Sequence, residues 1–136
     1  MLGNNMRKFL STSLFLLFLS GCALTDVIPS FWDDNQSSRI VDVYVKATNM
    51  DCKQPHLSQV SSIRDDLQWF QLYSESKGWL QRDVLKLIKP MQDTVEDFYK
   101  RSKEKQGSEA YCEIKKKLLI KQSKDSAQAV LGRYDL

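Results

Sequence analysis

Three cysteines and one histidine are the residues of this 136-residue chain whose types point to covalent or metal chemistry: Cys22, Cys52, Cys112 and His56. Cys52, His56 and Cys112 together offer three metal-type ligands. A tetrahedral site needs a fourth, and no further cysteine or histidine remains to supply it, so no metal and no cofactor is expected. Nucleophilic catalysis needs a nucleophile beside a base, usually histidine, that a third group orients. His56 is the sole candidate base and follows Pro55 at a predicted helix start. The carboxylate pairs Asp65-Asp66 and Glu96-Asp97 are adjacent residues, which on a helix point about 100° apart and do not converge on a substrate. No phosphate-cradling loop or dinucleotide fingerprint is present. These absences argue against an enzyme.

Cys22 belongs to a different pattern. Arg7 and Lys8 precede an apolar run from Phe9 to Leu19, and the run ends in Leu19-Ser20-Gly21-Cys22. A basic segment, an apolar segment and a small-residue cleavage site make an export signal. The apolar run spans 11 residues, whereas a membrane-spanning helix needs about 20. Leu-Ser-Gly-Cys resembles the lipobox of bacterial lipoproteins. That resemblance covers residues 1–23 alone. It implies that the Cys22 thiol is acylated, that the peptide is cut ahead of it, and that the protein is held to a membrane by lipid. Ala23, rather than aspartate, follows the cysteine, which in that class implies the outer membrane with the domain facing the periplasm. Met6 is an alternative start, since Met6-Arg7-Lys8 already forms a sufficient basic segment.

Removing residues 1–21 takes Arg7 and Lys8 and leaves 18 basic against 17 acidic residues, a net charge of +1. A near-neutral chain presents no global electrostatic case for nucleic acid. In an oxidising compartment the remaining even pair, Cys52 and Cys112, points to a disulfide. Fifty-nine residues lie between them. Closing a loop of that length restricts the unfolded chain by roughly 4 kcal/mol in the chain-entropy account.

Residues 22–37 read as lipid anchor and tether, and residues 38–136 as one helical domain. Phe31 and Trp32 are unusual in a solvated tether; docking on the domain, the membrane interface and a partner are the places open to them. Over residues 40–47 the alternation of Val41, Val43 and Val45 fits a strand, while Ile40, Val43, Tyr44 and Ala47 fit one helical face. No second strand is available for pairing, and a lone strand is not viable. A helix over residues 36–50 is therefore expected, with caps offered by Asp33, Asp34, Asn35 or Ser37. Leu57, Val60, Ile63, Leu67, Phe70 and Tyr73 mark a second amphipathic helix. Leu80, Val84, Leu87, Met91, Val95 and Phe98 mark a third, with Pro90 placed to kink or restart it. Ser108 and Glu109 open a last helix carrying Tyr111, Ile114, Leu118 and Val130. Its polar part from Lys121 to Gln128 is a place for fraying. The fold class expected is all-α, a small antiparallel bundle of three to four helices with one disulfide.

Trp69, one position off its stripe, and Trp79, beside Gly78, are the aromatics expected to remain exposed for a partner. Lys115, Lys116 and Lys117 form a basic run, either a solvated face or a contact for an acidic partner, lipid head group or glycan. A non-catalytic lipoprotein that binds an envelope protein is the leading expectation. A phage- or plasmid-encoded envelope lipoprotein acting in lysis or superinfection exclusion is one alternative. A carrier of lipid or glycan, with an apolar cavity lined by the third helix, is the other.

Overall fold

The computed structural model describes residues 33–132, which fold as four helices and one single-turn 3-10 segment. The signal, Cys22, Phe31 and Trp32 lie outside the described residues. Helix α1 runs Asp34–Asn49, α2 His56–Ser76, α3 Arg82–Glu104 and α4 Glu109–Leu131, with a 3-10 turn at Trp79–Gln81 leading into α3. Each helix packs on two neighbours, in the order α1, α2, α3, α4 and back to α1. No strand occurs among the described residues, and the segment that also fits a strand lies wholly in α1.

Local sequence accounts for the helix starts. Asp33 has extended backbone geometry, and its carboxylate accepts from the amides of Asn35 and Gln36 at 3.0 and 3.2 Å. That satisfies two of the four amides that a helix start leaves without partners. Ser108 caps α4 in the same way, accepting from the Tyr111 amide at 3.2 Å. Gly78 has φ +91° and ψ −169°, a region open essentially to glycine alone, and it turns the chain from α2 into the Trp79 segment. An L side chain there would carry about 1–3 kcal/mol of backbone strain.

Pro90 does not restart α3, which continues as one helix from Arg82 to Glu104. The prolyl carbonyl accepts from the Thr94 hydroxyl at 3.0 Å and from the Gln122 side-chain amide at 3.3 Å, the latter reaching across from α4. The proline position thereby ties α3 to α4.

The core is continuous through all four helices. Ile40, Val43 and Ala47 of α1 meet Val60, Ile63, Leu67 and Phe70 of α2, with Val84, Ile88, Met91, Val95 and Phe98 from α3. Ile88 is buried where the sequence pattern pointed to Leu87, which is exposed. A larger departure occurs in α4, where Ile114 is 66% and Leu118 40% exposed. The buried face is instead Cys112, Leu119, Ser123, Ser126, Ala127 and Val130. The disulfide explains the difference. Cys52 and Cys112 are bonded, with Cα atoms 5.6 Å apart, and Cys112 is fully buried. At 100° per residue, positions 119, 123, 126 and 130 return close to the direction of Cys112, whereas 114 and 118 point away. Small serines on the buried face suit close packing on α1, and the Ser123 hydroxyl is satisfied by the Leu119 carbonyl at 2.6 Å. The segment expected to fray remains helical through Leu131.

Candidate functional site

His56 is 1% exposed, and its Nε2 lies 3.0 Å from the Cys52 carbonyl oxygen. Its ring tilts against Phe98, with centroids 5.9 Å apart. The one candidate base of the sequence is thus a core residue beside the disulfide. No cluster of three or more metal-type side chains occurs among the described residues. The inward apolar side chains of α3, Val84, Ile88, Met91, Val95 and Phe98, belong to the core, each 1% exposed or less. A surface groove between α2 and α3 is mostly polar, lined by Arg64, Gln68, Gln71, Gln92 and Glu96 among others.

The lysine run divides. Lys115 reaches Asp97 of α3 at 2.6 Å, and Lys116 donates to the Met50 carbonyl at 2.6 Å. Both bind α4 to its neighbours and are half-buried, and Lys117 alone of the three is exposed. Helical geometry separates them, since successive residues point 100° apart. Asp97 also faces Arg101 at 3.4 Å and the Tyr111 hydroxyl at 3.4 Å. The hydrogen bond from Lys115, then the nearby cationic charges, hold the Asp97 carboxyl below its ordinary value of 3.8. Burial pushes the Tyr111 hydroxyl upward. A depressed carboxylate stabilises the fold above the ordinary carboxylate range, and the contribution disappears as pH falls through the folded-state value. Asp97 is 46% exposed, so solvent screening keeps the pair at under about 1 kcal/mol. Asp97→Asn is expected to lower stability slightly at neutral pH, and by progressively less as pH falls below the ordinary carboxylate range. Urea denaturation across that pH range measures it.

The tryptophans also behave differently from one another. Trp69 is 37% exposed and sits in a ladder along α1 and α2. The Arg39 guanidinium lies 4.7 Å above it, Tyr73 stacks on it at 4.8 Å, and Lys77 lies 5.0 Å from the Tyr73 ring. Arg39 also joins Lys46 on buried Asp66, at 2.9 and 2.6 Å. Trp69 is therefore half covered by its own domain. Trp79 is 72% exposed, the most exposed large apolar side chain among the described residues.

Trp79 stands at the end of the bundle where the chain enters. The Tyr73 hydroxyl donates to Asp33 at 3.0 Å, and Lys77 lies 3.5 Å from the same carboxylate. Behind them the Gln36 amide donates to Ser74 at 2.9 Å and to Gln81 at 3.2 Å, both buried. These bonds fasten the start of α1 to the α2–α3 turn. Leu72, 60% exposed, lies in the final turns of α2 at this end.

Two exposed features are not legible in the hydropathy pattern. That pattern turns Ile114 and Leu118, one helical turn apart, inward and leaves Leu72 off the α2 stripe, yet all three side chains are exposed. Counting the helix register from Cys112 places both α4 residues outside. No protein-family model, curated protein or solved structure matches this chain.

Proposed function

We propose that this chain is a lipid-anchored envelope protein whose helical bundle binds another envelope protein and catalyses no reaction. The anchor is Cys22, in the Leu-Ser-Gly-Cys sequence, and the site is the outer membrane with the bundle in the periplasm. No helix among the described residues is long and apolar enough to cross a membrane. Attachment through acyl chains is the membrane contact that the Leu-Ser-Gly-Cys sequence suits, since more than one chain gives stable anchoring where a single one is marginal.

One observation carries the partner reading. Ile114 and Leu118 leave a large apolar pair on the outer face of α4 although the bundle has closed its core without them. Scattered single apolar residues are ordinary on a surface; a pair on one face, with Lys117 and Lys121 alongside, suits the buried centre and polar rim of a protein interface.

Pull-down from detergent-solubilised envelopes, comparing the native chain with an Ile114→Asp, Leu118→Asp variant, tests this reading. A stoichiometric protein held by the native chain and lost by the variant, with equal thermal stability of the two, supports it. Recovery of no stoichiometric partner overturns it. The anchor is tested separately: Cys22→Ser is expected to abolish acyl incorporation and leave the precursor unprocessed. A processed, membrane-bound serine variant would refute the anchor.

A further inference from the structure

We propose that the tether end of the bundle rests against the bilayer, with Trp79 seated in the interfacial zone; this rests on the lipid anchor at Cys22 proposed above. The occupant of this surface is lipid rather than protein.

The first reason is where the chain enters. Only 11 residue steps separate Cys22 from Asp33. Fully extended, they reach at most about 40 Å, and a relaxed chain of that length spans roughly half as much. The end of the bundle bearing Asp33 is thus confined near the membrane. The far end, with Cys52 and the α3–α4 connection, lies a further helix length away.

The second reason is what that end displays. Asp33 is bound to Tyr73 and Lys77, and Gln36 to Ser74 and Gln81, so the entry point and the Trp79 turn move as one piece. Gly78, at φ +91°, sets the turn that carries Trp79. Leu72 and Trp79 are 60% and 72% exposed there. Leu131, 39% exposed, joins them. It ends α4, whose start is bonded to the chain just beyond the end of α1. Phe31 and Trp32 immediately precede Asp33 in the sequence. Tryptophan favours the head-group level of a bilayer, where its ring is part buried and its N–H stays hydrated. Arg82 is exposed in the first turn of α3, three residues on from Trp79, and a guanidinium at head-group level binds anionic lipid.

The measurement uses the acylated protein, purified from membranes and reconstituted in phosphatidylethanolamine–phosphatidylglycerol vesicles. Trp32→Phe and Trp69→Phe leave Trp79 as the sole tryptophan. Brominated acyl chains are expected to reduce its emission roughly twofold, and iodide quenching should fall on vesicle binding, as for an interfacial ring. Unchanged emission on brominated lipid, with iodide access equal to that of the free protein, overturns the inference. Flotation and the mass of the Cys22 peptide report the anchor independently. Should Cys22 carry no lipid, its thiol is coupled to a maleimide lipid, which restores the tether. Trp79 is then read in the same way, with the same two outcomes.

Discussion

Reduction of the Cys52–Cys112 bond is expected to lower the melting temperature of the domain by roughly 15–30 °C. The bond joins residues 60 positions apart. Opening a loop of that length returns about 4 kcal/mol of conformational freedom to the unfolded chain. In a domain near 100 residues each kcal/mol moves the midpoint by about 4–8 °C. The total stability of such a domain is about 5–15 kcal/mol, so the loss is a large part of it. Native-state effects act in the same direction. Both cysteines are buried, with the Cys112 sulfur 4.0 Å from that of Met50, and the bond holds the start of α4 to the chain just beyond the end of α1. Thermal denaturation with and without reductant, alongside a Cys52→Ala, Cys112→Ala variant, measures the effect. The variant keeps the site apolar, so agreement between the two experiments isolates the cross-link. A shift of only a few degrees would contradict the account.

Phe98→Ala is expected to cost about 3–5 kcal/mol, the range for emptying an aromatic site in a closed core. Phe98 is fully buried in α3. Its ring centroid lies 5.9 Å from that of His56 of α2 and 5.7 Å from that of Tyr111 of α4, the latter in a T-shaped pair. One side chain thus joins three helices, and the surrounding groups cannot collapse into its place without moving helix axes. Leu118→Ala is the informative control. A core leucine in α4 would cost about 2–5 kcal/mol on truncation, and a surface one within about 0.5. The exposed position of Leu118 predicts the small value. Urea denaturation of both variants decides between the two registers of α4, and a large loss at Leu118 would reject the one described here.

The extent to which the sequence could be read differed among the helices for physical reasons. In α2 the apolar side chains are large and regularly spaced, so Val60, Ile63, Leu67 and Phe70 named the buried face directly. In α1 the same segment fitted a strand and a helix, and the lack of any pairing strand decided between them. In α4 the buried face is made partly of serine and alanine, which carry no hydropathic signal, while two large apolar residues lie outside. Size and polarity therefore pointed to the wrong stripe, and only the cross-link to α1 sets the right one. The lysine run failed for a similar reason. Three adjacent lysines look like one patch in sequence, yet Lys115 turns to α3 and Lys116 to the end of α1.

By itself the sequence determined the helical class, the places where α1, α2 and α4 begin, and the pairing of Cys52 with Cys112, the two cysteines outside the lipobox-like sequence. Those properties depend on neighbours a few residues apart, or on a count small enough to admit one pairing. The tertiary structure alone decided which side of α4 is covered. It buried His56 beside the disulfide, divided the lysines between two neighbouring helices, and left Trp79, Ile114 and Leu118 outside. Coverage is a property of pairs of helices, set here by a covalent bond between residues 60 positions apart, and no local pattern encodes that rotation.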